Sequence, residues 1–166
     1  YYDCELTRQG VTLVDTPGAD SINARHTGVA FDYIKNSDAI LFVTYYNHAF
    51  SKADQEFLIQ LGRVKDSFQL DKMFFIINAI DLADNEEEKN NVVDYVKENL
   101  IKYGVRNPNL YPLSSLAALQ EKTESLSLLS GMKDFEQAFY NFINNDLANI
   151  AVRAADNELV RVHNLL

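Results

Sequence analysis

The chain has 166 residues, enough for one domain with a sizeable core, and its 47% hydrophobic and 23% charged residues are the balance of a soluble globular protein. A net charge of −9 argues against a nucleic-acid-binding face, and no polybasic cluster marks a lipid-binding surface. The single cysteine, Cys4, excludes an internal disulfide and fits a reducing cytosol, and no apolar run approaches the roughly 18–20 residues of a spanning helix. The opening Tyr1-Tyr2-Asp3, without Met, charged n-region or apolar h-region, predicts a piece of a longer protein rather than a secreted precursor.

Residues 2–9 alternate Tyr2, Cys4 and Leu6 with Asp3, Glu5 and Thr7, a period of two that predicts an edge strand hairpinned to 11–15. Val11-Thr12-Leu13-Val14 is β-branched or aliphatic throughout and predicts a short buried strand. It stops at Asp15, and Pro17-Gly18 forces a turn. An Asp at the end of a buried parallel strand is costly without a partner, and a phosphate-bound Mg²⁺ would be one. Gly18 would let a bare backbone N–H approach a terminal phosphate. The local alternative is a plain strand-to-turn junction.

Residues 19–27 are polar and predict a loop, followed by a helix from about Thr27 to Lys35. A second buried strand spans about 39–45. Ser51, with Asp54 three residues later, forms a capping-box pattern ahead of a helix over 52–65. Met73-Phe74-Phe75-Ile76-Ile77 predicts a third strand, near 73–78, with Asn78-Ala79-Ile80-Asp81 at its end. Glu86-Glu87-Glu88 starts a helix where its dipole favours acids, and Gly104 is its expected C-cap. A fourth strand near 110–113 ends at Ser114-Ser115, which could serve as an N-cap pair for a helix over 116–121. Residues 125–131 predict a loop or short helix. Phe135, Phe139, Phe142 and Ile143 mark another amphipathic helix, and 147–166 read as a final one.

Strands alternating with helices from residue 10 to about 121 predict an α/β fold, a mostly parallel sheet with right-handed crossovers and helices on both faces. Ligands bind such sheets at the C-terminal strand ends. Asp15, Asn78 to Asp81, and Ser114-Ser115 are all expected there, on three different strands. For Asn78 and Asp81 the local alternative is a helix cap and a turn. His26, His48 and Lys52 read as loop or helix-start residues.

Asp15-Thr16-Pro17-Gly18 resembles the third motif of GTPases, Asn78-Ala79-Ile80-Asp81 their base-reading Asn-Lys-x-Asp, and Ser114-Ser115 the fifth motif. His26-Thr27, Ser37 to Val43, and Phe50 to Leu58 look like bacterial dynamin-like proteins. The resemblance implies a P-loop GTPase (G domain) fold truncated at the N-terminus. Residues 1–145 would be the C-terminal portion of a dynamin-type GTPase domain, and 146–166 a helix leading toward the neck or stalk bundle. It implies GTP and Mg²⁺ as cofactors. Asp15, Thr16 and Gly18 would serve the phosphate chemistry, with Asp15 on the Mg²⁺ side. Asn78, Asp81, Ser114 and Ser115 would take the guanine. Membrane lipid would bind through regions outside this chain, self-association would run through the nucleotide face, and no nucleic acid is expected. The location would be cytoplasmic, peripheral at the inner face of the cell membrane.

Two departures stand out. Ala79 replaces the Lys of the base motif, and no Gly-x-x-x-x-Gly-Lys-Ser/Thr occurs in the chain. The expected activity is GTP hydrolysis driving membrane remodelling or fusion by the parent protein, with this chain alone inactive. The alternative is a degenerate, non-catalytic module used for assembly or dimerisation. A ribosome-assembly GTPase would need a basic appendage, which a net charge of −9 disfavours.

Overall fold

The computed structural model describes residues 3–16, 34, 37–63, 73–124 and 129–146. The chain divides into two compact units, residues 1–37 and 38–166.

In the first unit the expected hairpin does not form. Residues Glu5–Arg8 make a single helical turn, α1, and 11–16 carry no strand. The reason is local. Gly10 takes a left-handed φ of 82°, which lets the Val11 N–H reach the Leu6 carbonyl and the Gly10 N–H reach the Thr7 carbonyl. That is a Schellman closure, the geometry that ends helices. Thr7 Oγ1 donates to the Cys4 carbonyl, and a bidentate Arg8–Asp3 pair at 2.8 and 3.0 Å spans the turn. The alternation of Cys4 and Leu6 with polar neighbours suits this exposed turn as well as it suits a strand. Leu13 and Val14 are exposed, and among the described residues no strand pairs with them.

In the second unit three of the four expected strands form one sheet. They are β1 (Ile40–Tyr45), β2 (Met73–Asn78) and β3 (Leu110–Pro112), in the order β1-β2-β3. Both pairings are parallel, with Ile40 opposite Met73 and Phe75 opposite Leu110. Helices α2 (Lys52–Arg63), α3 (Glu86–Lys102), α4 (Ser115–Glu124) and α5 (Met132–Asn141) follow as anticipated. A π-helical turn, Phe142–Asp146, extends α5. The loop over 19–27, most of the helix over 27–35 and the final helix over 147–166 lie outside the described residues; Ile34 is helical and buried.

Helices cover both faces of the sheet. Phe75 and its register partner Phe42 meet in a tilted contact at 5.7 Å, and Phe42 meets Phe57 of α2 at the same distance. Phe74, whose side chain must point the opposite way, meets Phe139 of α5 and Phe142 edge-on at 5.4 and 5.5 Å. Residues 73–77 of β2 are buried on both sides, as a central parallel strand requires. The capping box at α2 is formed: the Asp54 N–H donates to Ser51 Oγ and the Ser51 N–H to Asp54 Oδ2. Asp54 Oδ2 also accepts from Thr44 Oγ1, which ties the helix to β1. At the end of α3, Gly104 takes a φ of 98°. The Val105 N–H then reaches the Leu100 carbonyl, and the Gly104 N–H reaches the Ile101 carbonyl.

Candidate functional site

Strands β2 and β3 run in the same direction, so their C-terminal ends deliver Asn78 and Ser114-Ser115 to one edge of the sheet. The Ile80 N–H donates to the Leu113 carbonyl at 3.2 Å and the Leu113 N–H to the Ile77 carbonyl at 2.9 Å, so the two strand ends are stitched together.

Asn78 is the hub. Its Oδ1 accepts from the Ala79 N–H at 2.8 Å, the Ser115 N–H at 3.0 Å and Ser115 Oγ at 2.9 Å. With the carbonyl oxygen spent on three donors, the amide N–H groups remain to face an outside acceptor. Ala79 sits in the left-handed region at φ 63°, which turns the chain sharply out of β2 into a 3₁₀ turn, Ile80–Leu82. Ile80 is buried beneath that turn, while Asp81 is exposed with its carboxylate at the rim.

Ser114 is buried, and its hydroxyl accepts from the Ala117 N–H at 3.0 Å, so the N-cap reading of Ser114 holds. Ser115 is exposed and bonds to Asn78 instead. The loop before α5 supports this corner from below. The Ser114 N–H donates to the Ser130 carbonyl at 2.8 Å, and Ser130 Oγ donates to Glu121 Oε2 at 2.6 Å. Gly131 packs directly against Pro112 and Leu113 at φ 72°.

A second support joins residues far apart in the sequence. Tyr46, just beyond β1, is buried, and its hydroxyl donates to Glu88 Oε1 at 2.6 Å. Glu88 Oε2 accepts from the Asp84 N–H, and the Glu88 N–H donates to Asn85 Oδ1. The hydrogen bond to Glu88, followed by desolvation, pushes the Tyr46 phenol up to about 12. The Tyr46 hydroxyl and then the Asp84 N–H hold Glu88 below the usual carboxylate range. The Glu86 to Glu88 run therefore includes one working member. Its visible trace was the spacing of Asn85 and Glu88, a capping-box pattern.

The edge thus offers amide donors from Asn78, an acceptor from the exposed Asp81 and the start of α4. Asp15 and Thr16 are exposed in the first unit, and Gly18 lies outside the described residues. Among the described residues no group of three His, Cys, Asp or Glu side chains gathers to hold a metal.

The parallel sheet with helices on both faces is a fold shared with a solved bacterial dynamin. A solved bacterial dynamin pair, described as oligomerised and as providing a mechanism for long-range sensing and tethering of membranes, matches at a TM-score of 0.67 and 22% identity over 91% of this chain and 27% of that one. The profile described as Dynamin family matches residues 1–80. Dynamin-like protein A of Bacillus subtilis is 55% identical over 125 residues, which is 75% of this chain and 10% of that protein. The probable transmembrane GTPase FZO-like, chloroplastic, of Arabidopsis thaliana is 30% identical over 77% of this chain and 14% of its own length. The chain belongs to the dynamin family, whose members are GTPases. It spans only a small part of the length of the relatives it matches.

Proposed function

We propose that the chain is part of a dynamin-like GTPase that binds and hydrolyses GTP to drive membrane remodelling or fusion, with residues 1–145 contributing to the GTPase domain and 146–166 leading toward the stalk. The observation that carries the reading is Asn78, pinned through Oδ1 by three donors, with Asp81 exposed on the turn beyond it. Guanine presents an acceptor at O6 and donors at N1 and N2. The Asn78 amide suits the first and the Asp81 carboxylate the second and third. Adenine offers no such pair of donors to a carboxylate. The backbone at Ser114 and Ser115 would border the base.

Asp15 is a hard oxygen donor suited to Mg²⁺, which needs few protein oxygens when phosphates and water complete its shell. In this reading Asp15 faces the metal through water, Thr16 belongs to the same segment, and the Gly18 amide faces the terminal phosphate. The bound Mg²⁺ would neutralise phosphate charge. Water attack on the γ-phosphate would depend mainly on positioning and charge stabilisation. The chain alone is inactive in this proposal, because its sequence holds no Gly-x-x-x-x-Gly-Lys-Ser/Thr to cradle the phosphates. Self-association through the nucleotide face is favoured by Leu116 and Leu119, exposed on α4 beside Ser115. Lipid contact would come from outside this chain, with the protein cytoplasmic and peripheral at the inner membrane face. Among the described residues no helix is long and apolar enough to cross a membrane.

The test is Asp81→Asn in the full-length protein. The carboxylate accepts twice, whereas an amide accepts once and donates once, so the preference for GTP over other nucleoside triphosphates should fall about 10- to 100-fold. An unchanged preference would remove Asp81 from the base site. One observation favours the non-catalytic alternative: Ala79 stands in place of the family's lysine. Nucleotide titration of the same protein separates the two readings, since a decayed site would bind no GTP.

A further inference from the structure

The turn that carries Asp81 is held at both ends. On the β2 side, the Ile80 N–H is fixed to the Leu113 carbonyl. On the α3 side, the Asp84 N–H is fixed to Glu88 Oε2, and the other oxygen of that carboxylate is held by the Tyr46 hydroxyl across 42 residues of sequence. Tyr46 opens its own 3₁₀ turn, Tyr46–His48, which packs against the Asp81 turn, and both Tyr46 and Ile80 are buried. We propose that Tyr46 is a positioning residue for the base-reading turn: its hydrogen bond to Glu88 sets where Asp81 stands relative to Asn78. This rests on the guanine reading above.

The geometry explains why a tyrosine serves here. The phenol is long enough to reach the start of α3 from the end of β1, and its ring is buried where a charged side chain would be costly. A bond of 2.6 Å to an ionised acceptor is of the short, strong kind. Without it Asn85 would still cap α3 and Glu88 would still hold the Asp84 N–H, because both bonds are local, but the turn would lose its tie to β1.

The full-length protein carries the test. Tyr46→Phe keeps the ring and removes only the hydroxyl. The expected result is a Kd for GDP raised about 3- to 10-fold, with kcat at saturating GTP within about twofold of the parent. Tyr103→Phe is the control, since it removes another long-range phenol bond, to Gln55 Oε1 at 2.9 Å, that holds α2 rather than the turn. It should leave the GDP affinity unchanged. Equal effects from both variants would reduce Tyr46 to a general stabiliser and overturn the proposal. An unchanged Kd in Tyr46→Phe, with Asp81→Asn still loosening guanine preference, would overturn it and leave the base reading standing. Should Asp81→Asn leave guanine preference intact, the base reading fails and the proposal falls with it. If Tyr46→Phe does not accumulate as folded protein, Glu88→Gln, which keeps the volume and weakens the acceptor, must raise the Kd in the same way, and an unchanged Kd there overturns the proposal.

Discussion

A methyl group at position 131 would fall against the Pro112 carbonyl oxygen and 3.3 Å from the Leu113 Cα, at a φ of 72° that L side chains disfavour. Gly131→Ala should therefore destabilise the fold by about 2–4 kcal/mol, the sum of left-handed strain and overpacking. Chemical denaturation followed by circular dichroism measures it, and the loss should appear in the midpoint with the slope unchanged. Asn78, Asp81 and the two serines were legible because their spacing encodes a local structure: strand end, turn, helix start. Tyr46 and Glu88 were not legible as a pair. A bond between residues 42 apart has no periodicity to betray it, and each residue alone has a bland reading, strand-end packing and solvated helix start. Gly131 was missed for the same reason, since the obstacle it avoids lies on another strand.

At the scale of elements, burial sets the cost of change. Ile77 and Leu100 are fully buried, one in β2 and one in α3. Truncating either to Ala should cost about 2–5 kcal/mol, read from denaturant midpoints. The start of α3 carries a pH dependence. The folded-state pKa of Glu88 lies below its ordinary value of 4.5. Its contribution is therefore complete above that value and is lost as pH falls through the folded-state pKa. The thermal midpoint should drop more steeply on acidification in the parent sequence than in Glu88→Gln. Strands β1 to β3 and helices α2 to α5 were readable because apolar runs, the Ser51–Asp54 capping box, an acidic first turn and a terminal glycine agree with one another. The 11–16 segment was misread because a strand exists only beside a partner. Its apolar residues predict a preference, and the Gly10 closure decides the local path.

At the largest scale, the predicted parallel arrangement holds in the described sheet because both connections between neighbouring strands carry a helix, the long crossover that parallel strands need. Calorimetry of the isolated chain with GTP and Mg²⁺ should show no binding in the micromolar range, since the Asp15 carboxylate repels phosphate unless a cation lies between them and the sequence holds no Gly-x-x-x-x-Gly-Lys-Ser/Thr to supply amides and a lysine. Micromolar binding would place the phosphate site within these residues after all. The parallel register also has a temporal consequence. Ile40 finds its partner, Met73, only 33 residues later, and the next pairing waits for β3. At ribosomal rates of about 5–20 residues per second, β1 would be in existence for several seconds before β2 could join it. An apolar strand with that waiting time is a natural ligand for holding chaperones, and β1 and β2 can pair before β3 has been made.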